Sequence, residues 1–203
     1  MPLDRASISI DQRDFILVLN EGHFGDLKAI EVTPAKLTKT VSAFANADGG
    51  ELYIGIDEDK QSGQRAWRGF GDPEAANGHV QAFEELFPLG NDFDYTFLEV
   101  AGEGGSGLVL KIDVKKTPDI KEASDGLPYV RRGAQNQAVN TPEKHKRLEY
   151  VKGLASFEAD TLVGVARVIM PNTTANRVNE HAPLVRPDLT EARSAKRRVQ
   201  PPS

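Results

Sequence analysis

Residues 33–57 constrain the fold more than any other stretch of the chain. Thr33-Pro34 reads as a helix start, with threonine at the N-cap and proline at the first helical position, where its missing N–H costs nothing. Leu37, Val41, Phe44 and Ala45 then recur at helical spacing. Gly49-Gly50 stops that helix, because glycine enters the left-handed region without a steric penalty. Glu51 to Asp57 alternates as a strand, with Leu52, Ile54 and Ile56 expected on one face. Gly55 inside that strand predicts a bulge or a close approach by another backbone.

Further elements follow the same cues. Asp11 to Asn20 reads as a short helix with Asp11 at its N-cap, and Asp26 to Val32 as a strand. Asp72-Pro73 opens a helix reaching about Phe87. Asp94 to Ala101 and Gly107 to Val114 read as adjacent strands joined by a glycine-rich turn, and Pro128 to Arg132 as a short strand. Thr141-Pro142 caps a last helix to about Lys152. Interspersed helices and strands predict an α+β fold, a mixed β-sheet with helices packed against it. The expected organisation is an N-terminal extension over 1–14, one domain over 15–153, an extension of it over 154–170 and a Pro-rich basic tail over 171–203.

Composition narrows the chemistry. With no cysteine, thiol catalysis, disulfides and cysteine zinc sites are excluded. No apolar run approaches the roughly 18 residues a membrane span needs, and the N-terminus lacks a signal-peptide core, so a cytoplasmic location away from membranes is expected. The net charge of −5 argues against a uniformly basic nucleic-acid binder. That charge is uneven, however. Residues 1–110 hold 8 Lys+Arg against 19 Asp+Glu, whereas residues 111–152 hold 10 against 6. An acidic first half followed by a basic segment suits metal on one part and phosphate on another; it equally describes ordinary solvated surface.

Glu21 and Asp26 flank a glycine-containing bend, and Asp26 and Lys28 lie two apart on an expected strand, so both leave the same face. Asp57 and Glu58 end the next strand. Carboxylates converging from these ends repel one another unless a divalent cation neutralises them. Such an ion polarises a phosphoryl oxygen and acidifies a bound water, and Lys28 can stabilise developing negative charge.

EGHFGDLKA, TVSAFANADGGELYIGIDED and LPYVRRGAQNQAV together resemble the Schlafen AlbA-2 domain family. The matching pieces are Glu21, Asp26 and Lys28, then Ala43 to Gly50, Tyr53 to Asp57, and Tyr129 to Gly133. The resemblance implies a divalent-metal-dependent endoribonuclease acting on transfer RNA or other structured RNA, in stress or phage defence. Its three carboxylates would be Glu21, Asp26 and either Asp57 or Glu58, holding Mg²⁺ or Mn²⁺. Asp stands at 26 where the family usually has Glu, which shortens the reach by one methylene. Characterised members resemble two such modules forming a clamp, so a homodimer is expected here. The alternatives are a non-catalytic nucleic-acid-binding module and a nucleotide-binding domain; no phosphate-cradle motif supports the latter.

Arg131 and Arg132 leave an extended segment on opposite faces, so one is free to meet RNA phosphate while the other packs inside. Lys115, Lys116, Lys144, Lys146 and Arg147 complete the candidate RNA-binding set. Phe44 reads as core, Asn46 as bonded to the Gly49-Gly50 turn, His23 as an exposed loop residue, and Trp67 as a cap over its own core.

Overall fold

The computed structural model of the chain describes residues 3–102 and 107–155. The expected tail at 171–203, and the 154–170 extension beyond Ala155, lie outside the described residues. Five strands form one mixed sheet: β1 (Asp4–Ile8), β2 (Gly25–Lys28), β3 (Gly50–Ile54), β6 (Phe93–Val100) and β7 (Val109–Val114). Their order is β1-β6-β7-β3-β2. The outer pairs β1/β6 and β2/β3 run parallel, and the inner pairs β6/β7 and β7/β3 antiparallel. Two small antiparallel pairs stand apart, β4 (Ile56–Glu58) with β5 (Arg65–Trp67), and β8 (Tyr129–Arg132) with β9 (Gln135–Ala138). Among the described residues there are four α-helices: α1 (Ile10–Leu17), α2 (Pro34–Ala45), α3 (Asn77–Leu86) and α4 (Pro142–Lys152). The fold is thus α+β, a mixed sheet with packed helices. Among the described residues no helix is long and apolar enough to cross a membrane.

The helix–glycine–strand unit forms as its sequence dictates. Thr33 is extended, Pro34 begins α2, and Leu37, Val41 and Phe44 are buried along one stripe. Gly49 has φ +85°, and its N–H donates to the Phe44 carbonyl at 3.0 Å. A side chain on Gly50 would meet the Phe44 ring at 2.6–2.9 Å, so the turn can lie flat on that ring only with glycine there. Leu52 and Ile54 of β3 join Leu110, Ile112, Tyr95 and Phe97 in the core beneath α2 and α3. Tyr53, Leu27, Leu98 and Val109 point the other way, into a second core covered by Ile16 of α1.

Gly55 corrects one expectation. Its φ is +119°, and an added Cβ would meet the Gly69 backbone at 2.9 Å, so the close backbone approach is real. The glycine also breaks the alternation. Ile56 therefore joins the second core instead of sharing a face with Leu52 and Ile54. The strand ends there, and β4 leaves the sheet to pair with β5.

Three further differences have local causes. The expected N-terminal extension, 1–14, carries β1 and the start of α1. The α1 N-cap is Ser9 and not Asp11: Ser9 Oγ accepts from the Gln12 N–H at 3.2 Å, and the Gln12 side chain accepts from the Ser9 N–H at 2.8 Å. The helix expected from Asp72-Pro73 begins as a 3-10 turn, Glu74–Ala76, with Asp72 accepting from the Ala75 N–H, and becomes α-helical at Asn77.

Candidate nucleic-acid interface

A tight turn leads from α1 into β2. The Gly22 N–H donates to the Gly25 carbonyl at 3.0 Å, closing it, and His23 and Phe24 occupy its tip. Arg131, on β8, holds the turn from below. Its Nε donates to Gly22 O at 2.9 Å and its Nη2 to Gly25 O at 3.3 Å, while Nη1 donates to Asn136 Oδ1 at 2.7 Å. The guanidinium lies over the Phe44 ring and within 3.6 Å of Asp26. Arg131 is only 2% exposed, and this corrects its placement among RNA contacts: each of its three side-chain nitrogens already donates to an acceptor within the protein.

Beside this clamp, Glu21 and Asp26 meet at one ammonium. Lys28 Nζ lies 2.6 Å from Asp26 Oδ1 and 3.2 Å from Glu21 Oε1. The shared face expected for Asp26 and Lys28 is present, and Thr40 of α2 adds a hydroxyl to Asp26 Oδ2 at 3.4 Å. Burial pushes the Asp26 carboxyl above its ordinary value, against the pull of Lys28 and Arg131. In half-buried Glu21 the same desolvation is outweighed by Lys28 and the Leu27 N–H, so its carboxyl lies below the usual range.

Asp57 and Glu58 lie on β4, which begins beside the end of β2, where the Gly55 N–H donates to the Lys28 carbonyl. Asp57 pairs through Oδ2 with Arg68 at 3.2 Å, and Arg68 also bonds Glu31. Asp57 is half-buried and Glu58 is exposed. Among the described residues no group of three or more His, Asp or Glu side chains is gathered as a metal site. The donor set fits a resident divalent ion poorly: a lysine ammonium already occupies the point where two carboxylates converge, and Asp26 is 2% exposed.

The basic side chains do gather. A cavity of about 400 Å³ lies between α4, the β8–β9 hairpin and the α2–β3 turn. Lys144 and Arg147 face it from α4, Arg132 from β8, and Lys116 from the segment after β7. Lys144, Arg147, Leu148 and Val151 share one helical face at spacings of three and four, which puts two cations and two apolar side chains on one wall. Among the described residues, Asp48 is the one acid lining the cavity. His23 Nε2 bonds it at 3.0 Å, which with Lys116 holds its carboxyl below the usual range. Lys115 and Lys146 do not line this cavity; Lys146 lies over the Tyr150 ring.

Other expected roles resolve structurally. Phe44 is fully buried. Asn46 does not bond the glycine turn; its amide donates to Lys121 O and Tyr129 O and accepts from the Lys121 N–H, tying α2 to β8. Trp67 donates to Gly107 O and packs on the second core. Phe24, 61% exposed, was not legible as a site residue; its signal is an aromatic between two glycines in a polar bend.

No curated protein matches the sequence. Among solved structures, the N-terminal domain of a RecG-related ATP-dependent DNA helicase-type protein from Nitrosomonas europaea, solved by solution NMR, is 24% identical, with 60% of this chain and 86% of that chain covered and a TM-score of 0.44. The crystal structure of the DIP2311 protein from Corynebacterium diphtheriae is 18% identical, with 69% of this chain and 31% of that chain covered and a TM-score of 0.46. The family model described as Schlafen, AlbA_2 matches residues 21–140. That stretch exceeds half of the chain, and it runs from Glu21 through the Arg131-clamped turn to just past the β8–β9 hairpin. The chain belongs to the Schlafen AlbA_2 family.

Proposed function

We propose that this protein binds RNA, with structured RNA such as transfer RNA as the target class, and grips the phosphodiester backbone in the cleft between α4 and the β8–β9 hairpin. The observation that carries this reading is the convergence of Lys116, Arg132, Lys144 and Arg147 on one cavity in a chain of net charge −5. Four exposed cations, with buried Arg131 also lining the cavity, around one acid that is already paired make a local positive field on an acidic protein, and such a field attracts phosphate. Family membership supports nucleic acid as the polyanion. One module presents one such cleft, so a homodimer belongs to the proposal; sedimentation at micromolar concentration, with and without RNA, reads it, and a strict monomer in both removes it.

Fluorescence anisotropy with labelled transfer RNA in the presence of chelator tests the binding. The expected result is salt-sensitive binding that weakens at least about tenfold in Arg132→Ala/Arg147→Ala. Absence of binding at low salt, or equal affinity in the double variant, overturns it.

A second reading, a metal-dependent endoribonuclease using Mg²⁺ or Mn²⁺, is favoured by one observation. Asp57 Oδ1 is buried without a hydrogen-bond partner. This favours Asp57 over Glu58 as the third carboxylate. Against it stands the arrangement seen, in which Lys28 would have to leave Glu21 and Asp26 before an ion joined them. Incubation of total transfer RNA with Mn²⁺ or with chelator separates the two. Discrete fragments that require Mn²⁺ and vanish in Glu21→Ala and Asp26→Ala would establish cutting; intact RNA under both conditions leaves a binder.

A further inference from the structure

We infer that the Gly22–Gly25 turn is a base-stacking platform, and that the strand held by the neighbouring cleft is therefore single-stranded, with at least one unpaired base seated on Phe24. This rests on the reading of the cleft as an RNA site and specifies the form of RNA it takes.

The first observation is Phe24 itself. Its ring is 61% exposed, yet the backbone that carries it is fixed. The turn is closed by the Gly22–Gly25 hydrogen bond and clamped at both glycines by buried Arg131. The Phe24 carbonyl accepts from the Glu51 N–H at 2.8 Å, which ties the turn to β3. A single exposed apolar residue on a mobile loop needs no explanation. An exposed aromatic ring on a backbone held at four points is pre-organised, and stacking on it costs little ordering entropy.

The second observation is where the ring stands. His23 meets it edge-on, with centroids 4.7 Å apart and planes at 89°, and His23 also lines the basic cavity. His23 is held in turn by Asp48 at 3.0 Å. Phe24 thus lies one ring away from Lys116, Arg132, Lys144 and Arg147.

The third observation is the character of the walls. Val130, Ala138, Val139, Leu148 and Val151 line the same cavity, and Val151 is 59% exposed. A duplex offers phosphates to the cations but keeps its bases stacked inside, which leaves these apolar walls and the Phe24 ring without partners. A single strand supplies both, phosphate to the cations and base faces to the aromatic and aliphatic groups.

The test compares a labelled single-stranded RNA oligonucleotide with a duplex of the same length at fixed salt in chelator. Four proteins are used: wild type, Phe24→Ala, Phe24→Trp and Arg132→Ala/Arg147→Ala. Thermal melting checks that each is folded; an exposed ring should be dispensable for folding. The expected result is that Phe24→Ala weakens single-strand binding at least about fivefold and changes duplex binding less than about twofold. Phe24→Trp should keep single-strand affinity and show indole quenching on binding that wild type, whose one tryptophan is Trp67, does not show. The inference fails if Phe24→Ala binds the single strand as wild type does while the double arginine variant loses affinity; the basic cleft then stands without the platform. It fails equally if Phe24→Ala loses single strand and duplex in the same proportion. If wild type binds neither nucleic acid, the cleft reading itself is wrong and the platform goes with it.

Discussion

Arg131 and Arg132 are adjacent and chemically identical, but the fold sends them to opposite tasks. Arg131 enters the protein, where it satisfies two turn carbonyls, Asn136 and the buried Asp26; Arg132 is exposed at the cleft. Alanine at 131 removes the side-chain donor from the Gly22 carbonyl and from Asn136 Oδ1, and takes the guanidinium away from buried Asp26. Breaking a buried ion pair from one side costs about 3–5 kcal/mol, and Arg131→Ala should lose stability in that range by urea unfolding. Arg132→Ala should stay within about 0.5 kcal/mol of wild type in stability, as surface changes do, and lose RNA affinity instead. Equal stability losses in the two variants would contradict the division. At the same scale, Lys152 is a buried-end lysine with three acceptors: Ala45 O at 2.7 Å, Thr117 O at 2.6 Å and Thr117 Oγ1 at 3.0 Å. Burial, reinforced by neighbouring Lys116, brings its pKa down to about 8. The unfolded chain, with an ordinary lysine, holds that proton more tightly. Between about pH 8 and the ordinary lysine value, raising the pH therefore favours the folded state; below about 8 both states are protonated and the effect is absent. The melting temperature of wild type minus that of Lys152→Met should rise across this window and be flat below it; a difference that is flat throughout counts against a depressed Lys152.

The elements that position the site depend on a few glycines. Gly49 sits at φ +85° with Val114 O 2.6 Å from where a Cβ would be, and Gly50 faces the Phe44 ring at 2.6–2.9 Å. Gly50→Ala forces that ring, fully buried, to move, and overpacking of this kind costs about 1–3 kcal/mol. Part of the loss should return in Gly50→Ala/Phe44→Leu, measured as denaturant midpoint; no recovery would mean that the clash lies elsewhere. This unit was legible because each step has its own chemical marker: Thr-Pro to begin, aliphatic spacing to pack, two glycines to stop. The strands that were not legible lack such markers. In β1, DRASI, only Ile8 is buried, and pairing with β6 makes it a strand. In β9, QNQA, the residues are polar or small, and the register with β8 supplies what periodicity does not. The site divides the same way. The Asp26–Lys28 shared face followed from strand alternation, and the basic segment from counting charges. The cleft did not, because it joins α4 to a hairpin and to a turn that lie far apart in sequence. The expected gathering of Asp57 with Glu21 and Asp26 assumed that β3 continues straight to Asp57; Gly55, at φ +119°, ends that strand first, and Asp57 follows in β4, paired with Arg68.

Across the whole molecule, charge is sorted by position in the chain and then concentrated by folding. Residues 1–110 are strongly acidic, and the basic excess of 111–152 is focused at one cleft by β8 and α4. A polyanion approaching such a surface is repelled over much of it and drawn to one place, so its orientation is set before contact. The thermodynamic mark of that arrangement is counterion release. Each phosphate neutralised on a single strand contributes about −0.7 to the slope of log K against log salt concentration. With Lys116, Arg132, Lys144 and Arg147 all engaged, four phosphates give a slope of about −3. Arg132→Ala/Arg147→Ala should reduce it to about half, whereas Phe24→Ala, which removes stacking but no charge, should lower the affinity and leave the slope unchanged. Titrations at several salt concentrations read both numbers from one experiment. A slope near zero in wild type, or one that the double arginine variant does not alter, would mean that the strand is held somewhere other than the α4–hairpin cleft.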